Sequence, residues 1–205
     1  MLLSFFILKK TPFICLFDYI FIEENKKGAE KESLYFWHRE VAYGNVPETM
    51  FSKRLAMLVN AIKSNTKTIF LNADILLQTC NLDYILCDMP IWKHVYHMLH
   101  SLDQWYINPQ EYTHPPFHVE NLNSLDIPSE EKMSREQLQE YLCSIATKIT
   151  NYLDTLDDDM LYEIPNGCEQ NRLGLIMSQF RHFYAHLGNI NAVTIIETNK
   201  WPRVV

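Results

Sequence analysis

Asn171-Arg-Leu-Gly-Leu-Ile-Met-Ser-Gln-Phe-Arg-His-Phe-Tyr-Ala-His-Leu-Gly-Asn-Ile-Asn191 decides the fold class. Leu173, Ile176, Phe180, Phe183, Leu187 and Ile190 recur at three- and four-residue intervals, the period of one helix face. The spacing predicts a helix from about Asn171 to Glu197, preceded by the chain break Asn166-Gly167. Working backward, Ser134-Arg-Glu-Gln137 is a capping box that opens a helix running to about Leu156. Another helix is expected with Asp88 as N-cap, Pro90 in its first turn and Asn108-Pro109 as its stop. The first should run from about Ser52 to Gln78, carrying Leu55, Leu58, Val59, Ile62, Ile69 and Leu76. Four helices of about 20 residues around one core predict an all-α four-helix bundle over residues 51–205.

The same stretch carries His182 and His186, four residues apart and so stacked on one helix face about 6 Å apart at Cβ. Phe183 follows His182 where a zinc protease motif would have glutamate, which excludes the H-E-x-x-H arrangement. Two ligands rarely complete a site, and the segment Pro90 to Asp103 supplies His94, His97 and His100 as candidates for a third. Helical phase is at odds with this. On the expected second helix the stripe Ile91, Val95, Met98, Leu102 and Trp105 brings His94 to the core edge and leaves His97 and His100 further round. His182 lies well off the stripe of the last helix, so the site needs a polar pocket between helices.

Charge and cysteine content narrow the function classes. The net charge is -7 with no basic run, which gives nucleic-acid binding no electrostatic support. The five cysteines, Cys15, Cys80, Cys87, Cys143 and Cys168, are odd in number and form no C-x-x-C pair, as expected of reduced thiols in a cytoplasmic protein. Lys9-Lys10, Pro12 and Asp18 interrupt the apolar N-terminal stretch below the ~18 residues a membrane span needs, and no signal-peptide pattern is present. Residues 1–50 read as an N-terminal extension, with Glu23 to Ser33 as a linker. If Met50 is the native start, the intact mass of the native protein will lack residues 1–49.

The pairing of Trp92-Lys-His-Val-Tyr-His-Met-Leu-His-Ser-Leu-Asp103 with Arg181-His-Phe-Tyr-Ala-His-Leu-Gly-Asn-Ile-Asn191 resembles the DinB-like, or YfiT-like, family of metal-dependent enzymes on a four-helix bundle. The resemblance covers about Phe51 to Arg203, and the closing Trp201-Pro202-Arg203 also looks like family tails. It implies His97, His182 and His186 as ligands of one divalent metal; His-rich sites suit zinc or nickel first, and on the residues alone His94, by its phase, or His100 remains an alternative to His97. Three neutral imidazoles would leave the +2 charge uncompensated and a coordination position open, so that a water there approaches a pKa of ~7 or a thiol is acidified. The family implies hydrolase or thiol-transfer chemistry on a small-molecule substrate, with a low-molecular-weight thiol as one cosubstrate class.

Asp103, Tyr96, Gln179 and Asn189 are the candidates to orient the ligand imidazoles, and Gly188 either permits close approach of a neighbouring helix or substrate or is simply tolerated inside a helix. Two competing motifs are weaker. Glu111-Tyr-Thr-His114 has the E-x-x-H form of di-iron bundles but sits between prolines and lacks a second copy. Cys87 has no inferable catalytic partner. The rival to a metalloenzyme is a non-catalytic binding or structural bundle, in which case an aromatic surface would serve a homodimer.

Overall fold

The computed structural model describes residues 57–204. The expectations for residues 1–50, for a native start at Met50 and for a first helix beginning at Ser52 fall outside the described residues. What is described is all-α apart from one very short hairpin. The elements are α1 (Met57–Thr79), β1 (Ile85–Leu86), β2 (Met89–Pro90), α2 (Ile91–Trp105), α3 (Arg135–Asp154), a 3-10 turn (Met160–Tyr162) and α4 (Arg172–Thr198). No helix among the described residues is long and apolar enough to cross a membrane.

Each helix packs chiefly on two others. α1 and α2 both contact α3 and α4, so α1 lies diagonally across the bundle from α2, and α3 from α4. α1 turns Val59, Ile62, Ile69, Phe70, Ala73, Leu76 and Leu77 inward, a helical period that removes most of its apolar surface from water. At its start, the backbone N–H groups of Leu58 and Val59 donate to the Asp158 carboxylate at 2.9 and 2.8 Å. A distant loop thereby caps the positive end of the helix.

The entry to α2 differs from the expectation. Asp88 is not the N-cap: with Cys87 it forms the two-residue turn of a hairpin, at φ 63° and 49°. β1 and β2 pair antiparallel, Ile85 with Pro90 and Leu86 with Met89, and positive φ at both turn residues gives the twist such a tight hairpin requires. Pro90 is itself the N-cap, at φ -70° and ψ 148°. The first amides of α2 are satisfied by backbone instead of a side chain, Ile91 N–H donating to Tyr84 O and Trp92 N–H to Leu82 O, each at 2.9 Å. The helix ends at Trp105, with Tyr106 as C-cap, ahead of the expected Asn108-Pro109 stop.

α3 and α4 begin as the sequence predicts. The Ser134 hydroxyl accepts from Gln137 N–H and the Gln137 side chain accepts from Ser134 N–H, which closes the capping box. Asn171 caps α4 by accepting from Gly174 N–H at 2.8 Å, and Asn199 ends it in the left-handed conformation. Gly167, at φ 76°, breaks the chain between them; a Cβ there would also come within 3.0 Å of Gln110. At Gly188, by contrast, no atom of a neighbouring element lies within 4 Å of where a Cβ would stand, so of the two readings the tolerated glycine fits the described residues. Cys80, Cys87 and Cys168 are free thiols.

α2 is buried nearly all round: between Ile91 and His100 only His97 retains appreciable exposure. The bundle covers one side. The long connection of residues 106–134 covers the other, as its contacts with Lys93, Tyr96, His97 and His100 show. The polar side of α2 therefore faces protein, and a phase argument that assigns polar residues to solvent misplaces it. Trp105, put on the apolar stripe by phase, is 44% exposed.

Candidate metal centre

α4 places His182 and His186 one turn apart on the face that packs against α2, and α2 presents His97 to them. His182 Nε2 stands 3.2 Å from His97 Nε2 and 3.2 Å from His186 Nε2. The ring centroids are 4.5 to 5.1 Å apart and the planes are tilted by 47 to 62°. Two of the three Nε2 separations are thus of one length, and the rings splay outward from a common point. Ligands about 2.1 Å from one ion would be about 3.4 Å apart in tetrahedral and about 3.0 Å apart in octahedral geometry. The observed separation falls between them.

Hydrogen bonding identifies which lone pairs point inward. His97 Nδ1 lies 2.7 Å from the Asn123 carbonyl oxygen, which can only accept, so Nδ1 carries the proton and Nε2 is a bare lone pair. His182 Nε2 could donate to one neighbour but not to both. At least one of the two 3.2 Å contacts then has no hydrogen bond, and His182 Nδ1 is buried without a hydrogen-bond partner. A cation between the three nitrogens removes the lone-pair conflict, and the donor set therefore fits a metal. Burial lowers the His182 pKa, with the neighbouring His97 adding to the effect. Burial, then His182, His97 and His94, push His186 down to about 4. Both effects keep the imidazoles neutral, the form that binds metal.

The alternatives to His97 are engaged elsewhere. His94 Nε2 donates to the Leu86 carbonyl at 2.9 Å, tying α2 to the hairpin. His100, 2% exposed, joins His114 and His118 in a second group of three imidazoles. None of the four proposed orienting residues has a hydrogen bond to the triad. Tyr96 hydroxyl pairs with His118 Nδ1 at 2.7 Å, and Gln179 accepts from the Ser101 hydroxyl. Asp103 accepts from Tyr141 hydroxyl at 2.9 Å and Lys148 Nζ at 2.7 Å, while Asn189 is exposed. The group that does orient His97 is the main-chain carbonyl of Asn123, which no side-chain pattern could reveal. His118 was also missed, although His114-Pro-Pro-Phe-His118 repeats the four-residue spacing of His182 and His186.

Fold and site together define an all-α protein with two three-histidine groups able to hold metal ions. Comparison with protein-family models, with curated proteins and with solved structures returns no match.

Proposed function

We propose that the protein is a divalent-metal-dependent enzyme of the DinB-like type, holding zinc or nickel through His97, His182 and His186. Its expected reactions are hydrolysis or thiol transfer on a small molecule. The observation that carries this is the convergence of Nε2 atoms at 3.2 Å spacing with the opposite nitrogen of His97 anchored to a backbone carbonyl. A divalent ion bound by three neutral imidazoles supplies Lewis acidity with coordination positions left for a water or a thiol. The protein's own contribution is to hold those imidazoles neutral and oriented: Asn123 fixes the His97 tautomer, and burial suppresses protonation of His182 and His186.

Zinc and nickel titrations of the purified, chelator-stripped protein, read by calorimetry and by metal analysis after dialysis, test the proposal. Wild type should retain an ion that His182→Ala loses, with affinity reduced at least the 10–100-fold typical of disturbing a metal site. A triad that retains no ion would leave the non-catalytic bundle as the better account. If the ion is held, hydrolysis and thiol-transfer screens on wild type against His182→Ala then test turnover.

A further inference from the structure

His100, His114 and His118 bring a second set of ring nitrogens within 4.8 Å of one another, on the side of α2 covered by the 106–134 connection. His100 Nε2 and His114 Nδ1 are 3.2 Å apart, the spacing found in the first triad. Two of the three rings are held in place through one nitrogen. His118 is held through Nδ1 by the Tyr96 hydroxyl at 2.7 Å, whereas the Asn123 side-chain amide donates to His100 Nδ1 at 3.5 Å, which places the proton of that ring on Nε2, toward His114 Nδ1. A metal-ligating imidazole donates its second ring N–H to an acceptor; the Tyr96 hydroxyl can fill that role at His118, and the Asn123 side chain would fill it at His100 by turning its amide oxygen to Nδ1. Asn123 meets both groups, its carbonyl at His97 and its side chain at His100, one turn further along α2.

We infer that His100, His114 and His118 form a second site for a divalent transition-metal ion, separate from the His97, His182 and His186 centre and sharing Asn123 with it. The donor chemistry is all imidazole, which suits zinc, nickel or copper and disfavours magnesium or calcium. The two sites differ in preparation. In the first the ring planes splay. In the second they stack, with His114 and His118 centroids 4.1 Å apart at 6° and His100 inclined by 20 to 25° to both. Stacked rings direct their in-plane lone pairs side by side, so a shared ion requires one ring to swing out. His114 is the one placed to do so, being exposed and on the connection instead of on a helix. His100 and His118 provide the fixed pair and His114 closes on the ion.

The test is zinc stoichiometry and affinity at pH 7.5 on the full chain, by calorimetry, for wild type, His114→Gln and His182→Ala. His114 is exposed, so His114→Gln should keep its fold, which circular dichroism checks. The expected result is two zinc ions per wild-type chain, with one class weakened at least tenfold in His114→Gln and the other in His182→Ala. One zinc per chain, lost in His182→Ala and unchanged in His114→Gln, overturns the second site and leaves the proposed function standing. One zinc lost in His114→Gln and kept in His182→Ala does the reverse. No zinc in wild type overturns both. A His100→Gln, His114→Gln double variant that still binds two ions also overturns the second site.

Discussion

Acidification of the metal-free protein should unfold it through its histidines. His186 is pushed down to about 4 and His100 to about 3, each chiefly by burial and then by neighbouring imidazoles. Both values lie below the ordinary histidine pKa near 6.5. Between that pH and the depressed value, the unfolded chain holds a proton that the folded chain refuses. The unfolded state thus binds more protons, and stability rises with pH. The contribution is complete above about 6.5 and is lost as pH falls toward 4 for His186 and 3 for His100. At about 1.4 kcal/mol per pH unit per proton, His186 accounts for about 3 kcal/mol by pH 4. His100 loses a similar amount over the same interval, and domains of this kind have only about 5–15 kcal/mol in all. Urea unfolding with chelator, followed by circular dichroism at half-unit steps from pH 7.5 to 4.5, measures the slope. Wild type should lose on the order of 2 kcal/mol per pH unit below pH 6, and His186→Asn about one proton's worth less. A wild-type stability that is flat between pH 6.5 and 5 would refute the argument. So would a slope identical in His186→Asn, which would show that His186 is not a contributor.

Other consequences are more local. Asp103→Ala should destabilise by about 2 kcal/mol, because it strands the buried Tyr141 hydroxyl, whereas Lys148→Met should cost under about 1 kcal/mol since Lys148 is half exposed; the difference in denaturant midpoints checks the pair. Gly188→Ala should raise stability by up to about 1 kcal/mol, as the position is helical with open space at the missing Cβ, and a lowered thermal midpoint would contradict this. Asp158→Ala should cost about 1 kcal/mol through loss of the cap on Leu58 and Val59 amides, seen as faster hydrogen exchange in the first turn of α1. His94→Asn should leave zinc affinity within about twofold, because the His94 ring is committed to Leu86, whereas His97→Asn should weaken it at least tenfold.

The helices of this protein are legible where local chemistry specifies them. Ser134 and Gln137 satisfy each other's backbone groups, and Asn171 caps Gly174, so the starts of α3 and α4 follow from side chains a few residues apart. The α2 entry was not legible in the same way. Its cap is made by backbone carbonyls of Leu82 and Tyr84, and Cys87-Asp88 forms a tight turn without the glycine that normally signals one. Phase favoured His94 as the third ligand because it assumed that one side of α2 faces water. The 106–134 connection covers that side instead, and the histidines there are buried among protein groups.

Sequence by itself determined the four helical segments, the i, i+4 placement of His182 and His186 on one face, and the absence of a glutamate base beside them, since each depends on neighbours within one or two turns. Tertiary structure alone decided that α1 and α2 lie diagonally and that α2 meets α4, which is what brings His97 to the pair. It also decided that Asn123 fixes the His97 tautomer and that His100 leaves the first group for His114 and His118. Those outcomes depend on which side chains a loop of nearly thirty residues lays across a helix, and no periodicity within the helix encodes where a distant loop will pass.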